Sequence, residues 1–117
     1  MSGINFAIEK NEEILLLNSP KTYIGGPYVV VYKSIENRWA IVALDWDKKP
    51  RLGIRWFWDN GDSPFSSGHP TWFIIPEALN KSTLDGLTIE SYSLRVNIER
   101  FLAEEITGKE LMARVIE

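Results

Sequence analysis

The central part of the chain, residues 28–58, contains three short hydrophobic runs separated by turn-forming residues. The runs cover residues 28–32, 39–44 and 52–58 and are rich in β-branched and aromatic side chains. The residues between them, at 36–37 and 47–50, are typical of turns. This pattern predicts an antiparallel meander of three strands.

Further apolar runs flank this meander on both sides. Residues 4–8 and 13–18 surround a turn-like segment at 10–12, which favours an N-terminal hairpin, although runs this short also allow a helix. Residues 72–75 form an apolar run that ends at Pro76 and predict a last strand. The sequence therefore predicts a curved antiparallel sheet of about five strands.

The last third of the chain has the signals of helices. Pro76 is typical of the first position of a helix, and Gly86 is typical of a C-terminal cap. A second helix is predicted over 91–106, where apolar residues recur at helical spacing. Thr107 and Glu110 match a capping box and predict a third, short helix.

The order of these elements indicates the fold class. Strands come first and helices follow, which is the arrangement of an α+β protein with two or three C-terminal helices after the sheet. A chain of 117 residues fits one domain, so residues 1–117 are expected to form a single α+β domain.

The middle strand, residues 39–44, is apolar on both of its faces. We therefore expect it to lie at the centre of the sheet with cover on both sides. The C-terminal helices can cover one face. The other face requires the rest of the sheet, a ligand or a second subunit.

Composition and charge exclude several classes of function. Lys and Arg total 13 against 16 Asp and Glu, a net charge of -3 without any basic run, which disfavours nucleic acid as a partner. The chain has no cysteine, so it has neither disulfides nor thiolate chemistry. The N-terminus lacks the pattern of a signal peptide, and no apolar run approaches the roughly 20 residues of a membrane span. We expect a cytoplasmic protein that makes no membrane contact and carries no cofactor.

Arg55 and the tryptophans are candidates for a binding surface. Arg55 lies in the middle of the third strand, and a buried arginine requires a carboxylate, an anionic ligand or an aromatic ring beside it. Trp56 and Trp58 share the opposite face of that strand, and Trp72 follows later in the chain. Tryptophans arranged in this way have three alternative roles. They provide a stacking platform for bases or sugars, they pack in the core, or they contribute to a dimer interface. We take Arg55, Trp58 and Trp72 as candidate binding residues.

The residues at 59–70 form a loop of about a dozen residues, a length that is uncommon without a function. Asp59 and His69 are candidate binding residues in this loop. His69 is also the single candidate for catalysis, as a general base paired with a loop carboxylate. The loop acids do not have the spacing of a calcium site, so no metal is predicted. Asp45 and Asp47 are interpreted as part of a solvated turn rather than as a catalytic pair.

Two runs of residues carry a resemblance. They are Arg51-Leu52-Gly53-Ile54-Arg55-Trp56-Phe57-Trp58 with Asp59-Asn60-Gly61, and Gly68-His69-Pro70-Thr71-Trp72-Phe73-Ile74-Ile75-Pro76. The chain resembles, over about residues 28–90, small uncharacterised bacterial proteins encoded on mobile gene cassettes of integrons. Such proteins are a mixed collection and not one family. The resemblance implies a bacterial cytoplasmic protein, often a homo-oligomer without an assigned activity, and it transfers no functional residues.

These observations lead to one main functional expectation and two alternatives. We expect a non-enzymatic binding or interaction protein that self-associates through an aromatic sheet surface and has a pocket near the 59–70 loop. One alternative is a small hydrolase-like enzyme that uses His69 with a loop carboxylate. The other is a partner-binding protein of the antitoxin or immunity type, with which the small size and acidity are compatible.

Overall fold

The order of elements is that of the predicted α+β fold. A computed structural model of the chain describes residues 8–57 and 71–115 in full, and the backbone of residues 65–66 and 69–70. The elements in chain order are α1 Asn11–Ile14, β1 Ile24–Ser34, β2 Trp39–Trp46, β3 Lys49–Trp56, β4 Phe65–Ser66, β5 His69–Pro70, β6 Phe73–Ile75, a 3₁₀ turn Glu77–Leu79, α2 Asn80–Gly86, α3 Tyr92–Leu102 and α4 Gly108–Val115.

The main sheet is antiparallel and has the order β1-β2-β3-β6. The predicted meander is confirmed as β1, β2 and β3. Within the described residues the main sheet has four strands instead of about five, and β4 pairs separately with β5. The difference comes from the N-terminal segment. The predicted hairpin arm at 13–18 is not a strand, because α1 includes its first residues, and residues 1–7 lie outside the described part of the chain.

The turn between β2 and β3 shows how closely local sequence specifies this sheet. Trp46 pairs with Lys49, so only Asp47 and Lys48 lie between the strands. Both have positive φ angles, 52° and 68°, which is the conformation that matches the twist of a two-residue hairpin. The turn predicted over 47–50 is therefore tighter than expected, and Pro50 already belongs to β3.

The centre of the sheet is buried on both faces, as the sequence of β2 predicts. On one face α3 and α4 pack over Val29, Ala43 and Leu52. On the other face the cover comes from residues of the N-terminal segment and from Trp72. The chain itself thus covers the centre of the second face. The sequence had allowed three alternatives for this cover, namely the rest of the sheet, a ligand or a second subunit.

The helix boundaries follow their caps. The Ser91 side chain accepts a hydrogen bond from the backbone N–H of Leu94 at 3.1 Å and begins α3. α3 ends at Leu102 and not at residue 106 as predicted, because Glu104 takes a left-handed conformation with φ 63°. This bend sends Ile106 into the core, where it is 8% exposed.

None of the helices in the described ranges combines the length and apolar character that crossing a bilayer would require.

Candidate functional site

Arg55 lies buried on the face that the N-terminal segment covers, and its side chain is 4% exposed. Its Nη1 donates to the carbonyl oxygen of Thr71 at 2.7 Å, and its Nε donates to that of Trp56 at 3.2 Å. The guanidinium carbon lies 5.4 Å from the ring centre of Phe57. Burial lowers the pKa of this guanidinium from its ordinary value. These contacts tie β3 to the segment before β6, and a ligand role for Arg55 stays a prediction.

Trp72 lies in the core beside Arg55. Its indole is 3% exposed, and its Nε1 donates to the carbonyl oxygen of Leu17 at 2.7 Å. Its ring meets Phe57 edge to face at 6.1 Å between centroids. A Cβ at Gly53 would lie 3.0 Å from the Trp72 Cβ, so the glycine leaves the space that this indole occupies. A binding role for Trp72 stays a prediction, and its visible role is to pack the second face of the sheet.

The remaining predicted site residues fall where the structure describes little. Trp58 and Asp59 lie outside the described residues. His69 belongs to β5, where its backbone pairs with Ser66, and its side chain is outside the description. The pocket expected near the 59–70 loop and the catalytic role of His69 therefore stay predictions. Within residues 8–57 and 71–115, no group of three His, Asp or Glu side chains is placed to hold a metal ion.

Large apolar side chains gather instead at one end of the helix-covered face of the sheet. Trp39 pairs with Trp56 across β2 and β3, and Ile54 pairs with Phe73 across β3 and β6. Directly opposed residues in antiparallel strands project to the same side, so these side chains form one surface. We call it the aromatic face, and it consists of Tyr32, Trp39, Ile54, Trp56 and Phe73.

The aromatic face is incompletely covered. Helices α3 and α4 bury the neighbouring row of the sheet that contains Ala43 and Leu52. Towards the aromatic end this cover is reduced, and Trp56 is 37% and Phe73 51% exposed. The rings of Tyr32 and Trp39 contact each other at 5.5 Å between centroids, which fixes the aromatic side chains beside the exposed ones.

The aromatic face is also electrically neutral, because none of its five side chains carries a charge. The nearest cations along the strands are engaged elsewhere. Lys33 donates to the carbonyl oxygen of Glu9 and to Asn11 Oδ1, both at 2.7 Å. Arg38 donates from Nε to the carbonyl oxygen of Phe57 at 2.7 Å. The face can therefore interact by apolar burial and ring contacts.

The edges of the sheet are poorer contact surfaces than this face. β1 contains Pro27, which lacks an N–H donor, and its pairing with β2 is irregular between Gly25 and Val29 and between Val30 and Tyr32. β6, at the opposite edge, is three residues long. Prolines, bulges and short strands are the features by which natural sheets avoid edge pairing.

Comparison with protein-family models, curated proteins and solved structures gives no match for the chain. A function for this chain therefore has to be inferred from its own geometry and chemistry.

Two residues whose contacts are visible in the structure, Phe73 and Asp45, were not identified from the sequence. Phe73 joins the aromatic face only through its register with Ile54, and no local pattern contains that pairing. Asp45 was assigned to a solvated turn, but it lies in β2 and accepts a hydrogen bond from the Tyr28 hydroxyl at 2.7 Å. The Gly25-Gly26 pair before Tyr28 was a signal for the contact between Tyr28 and Asp45, since glycines often mark a close approach of other groups.

Proposed function

We propose that this protein is a non-enzymatic interaction protein that self-associates through the aromatic face. The observation that carries the proposal is the exposure of Trp56 and Phe73 on adjacent strands of the sheet, next to the half-buried Trp39 and Tyr32. Burying such apolar surface contributes roughly 25 cal/mol per Å², from which the entropic costs of association are subtracted. Tryptophan and tyrosine are also the side chains most enriched among those that dominate interface energies.

A second copy of the chain is the occupant that these features favour. The aromatic face is apolar and uncharged, and the same face of another molecule matches it in both respects. Two-fold pairing of one patch with itself is the commonest arrangement in soluble oligomers. Extension of the sheet through its edges is the competing mode, and Pro27, the irregular pairing of β1 and the shortness of β6 disfavour it.

The size of the aromatic face limits the expected strength. A standard interface buries about 800 Å² on each partner. Five side chains, three of them already half-buried, supply the centre of such an interface, and polar residues around them must supply the rim. We therefore expect reversible association in the micromolar range.

A double variant, Trp56→Ser with Phe73→Ser, tests the proposal. The matched control is Leu16→Ser with Tyr92→Ser, which makes two comparable replacements at side chains that are 68% and 83% exposed outside the aromatic face. Size-exclusion chromatography with light scattering gives the mass of each protein. We expect the aromatic-face variant to be monomeric and the control to keep the oligomeric state of the unaltered chain.

Two outcomes would contradict the proposal. One is an unaltered chain that is monomeric at tens of micromolar. The other is an aromatic-face variant that associates as strongly as the control. Circular dichroism during heating checks that both variants are folded, so that a loss of association is not a loss of structure.

A further inference from the structure

A pocket of about 500 Å³ opens at the other end of the sheet, between the β2–β3 turn and the connection from α3 to α4. Asp45, Pro50, Phe101 and Ile106 line its floor, and Tyr28 forms one wall. Trp39 and Asp45 are six residues apart on β2, so the pocket and the aromatic face are separated by about 20 Å at the usual rise of a strand. Nothing in the proposed self-association requires this pocket.

Tyr28 is held in the pocket wall by close packing. Its hydroxyl donates to Asp45 Oδ2 at 2.7 Å, and its ring meets Phe101 edge to face at 5.8 Å between centroids. Gly108 at the start of α4 contacts the ring so closely that a Cβ there would overlap it. A Cβ at Gly25 would lie 3.1 Å from the Tyr28 hydroxyl and 3.1 Å from the Asp45 Cβ. The wall is therefore preorganised, with little room for rearrangement.

The charge of Asp45 is not balanced inside the pocket. Its carboxylate is half-buried, and among the described residues no lysine or arginine forms an ion pair with it. The neutral hydroxyl of Tyr28 occupies one oxygen, which leaves capacity for a second donor on the same group.

The charged residues around the rim of the pocket do not neutralise the negative charge of Asp45. Three exposed acids, Glu104, Glu105 and Glu110, line it together with two exposed lysines, Lys48 and Lys109. With Asp45 in the floor, the lining groups have a net charge of -2, from four acids and two lysines. The start of α4 also faces the pocket, but its capping box already satisfies the N–H groups of Thr107 and Glu110. The balance favours a positively charged ligand.

We propose that this pocket binds a small organic cation, an ammonium group on a short apolar body. The ammonium lies beside the Asp45 carboxylate and against the ring of Tyr28, which Phe101 supports from the core. Aromatic rings attract such cations, and the carboxylate supplies the opposite charge. The apolar body packs on Pro50 and Ile106 in the floor.

Titration of the isotope-labelled full-length protein by two-dimensional NMR tests this proposal. The probes are tetramethylammonium chloride and 2,2-dimethylpropan-1-ol, a neutral molecule of similar size and shape. We expect tetramethylammonium at millimolar concentrations to shift the amide signals of Gly25 and Gly108 in a saturable way, and the effect to weaken as sodium chloride is added. The neutral alcohol should bind at least about tenfold more weakly.

Two variants assign the effect to Asp45. Asp45→Asn keeps an acceptor for Tyr28 and removes the charge, so binding should weaken by about tenfold or more. Glu36→Gln, at an exposed position in the opposite turn of the sheet, removes the same charge and should leave binding within about twofold.

Any of four results would overturn the proposal. They are equal binding of the neutral alcohol, unchanged binding by Asp45→Asn, shifts of the same amides by inorganic phosphate in place of the cation, and the absence of saturable shifts with tetramethylammonium. Should Asp45→Asn fail to fold, the comparison of the two probes and the salt dependence on the unaltered chain still decide the question. Failure here would leave the association state untouched, so the two proposals fail separately.

Discussion

At the scale of single residues, Tyr28 is a side chain that three glycines hold in place. Gly25, Gly26 and Gly108 all approach it, and Gly26 has a φ of 84°, which side chains other than glycine rarely adopt. The sequence indicated a break at Gly25-Gly26 but not its purpose. The contact with Gly108 joins residues 80 positions apart, and no local pattern reports on it.

The first prediction concerns the titration of Tyr28. Burial, followed by the hydrogen bond and the charge of Asp45, raises the pKa of Tyr28 from 10.0 to about 12. The neutral phenol is therefore favoured in the folded state. Its stabilising contribution is complete below pH 10 and is lost as the pH rises towards 12. Ultraviolet titration should detect this late tyrosine, and Asp45→Asn should lower its pKa. An unchanged late titration in Asp45→Asn would contradict the assignment.

The second prediction uses the tight contact at Gly108. Gly108→Ala places a methyl group against the Tyr28 ring, and such overpacking costs about 1–3 kcal/mol of unfolding free energy. Gly86→Ala is the control, since nothing lies within 4 Å of a Cβ at that position. It should be neutral or stabilise by up to about 1 kcal/mol. Urea denaturation measures both, and equal effects at the two positions would show that the contact is not tight.

At the scale of elements, local signals identified the ends of helices where the residues that cap them are close in sequence. The capping box at the start of α4 is confirmed. The Thr107 N–H donates to Glu110 Oε1 at 2.8 Å, and the Glu110 N–H donates to Thr107 Oγ1 at 3.1 Å. The end of α3 was misplaced because burial of Ile106 depends on the tertiary core. The N-terminal hairpin was wrong because four- to six-residue apolar runs are compatible with strand, helix or coil.

The third prediction tests the capping box. Thr107→Ala removes the acceptor for the Glu110 N–H and should lower the unfolding free energy by about 1 kcal/mol. Lys109→Ala, in the same helical turn and exposed, should change it by less than about 0.5 kcal/mol. Thermal unfolding followed by circular dichroism compares the two variants. A smaller effect for Thr107→Ala than for Lys109→Ala would contradict the role of the cap.

At the scale of the whole molecule, the sequence predicted that β2 would be covered twice but could not show by what. The answer depends on contacts between distant residues, such as the bond between Trp72 and Leu17, which are 55 positions apart. The same limit applies to the aromatic face. The sequence identified Trp56 as a candidate for a surface role, but Phe73 required the register between β3 and β6.

The fourth prediction separates tryptophans that hold the fold from those that face outwards. Trp72→Ala empties a buried site and should lower the unfolding free energy by about 3–5 kcal/mol. Trp56→Ala makes the same change at a position that is 37% exposed and should cost clearly less. Chemical denaturation at low protein concentration measures both without a contribution from association. Similar costs for the two would contradict the different burial of these indoles.

We have proposed that the aromatic face joins two or more copies of the chain. Sedimentation velocity of the unaltered protein over a dilution series through the micromolar range tests this association without any substitution. We expect a mass that rises with concentration to at least twice the 13.4 kDa of a single chain. A mass that stays at 13.4 kDa up to tens of micromolar would contradict it.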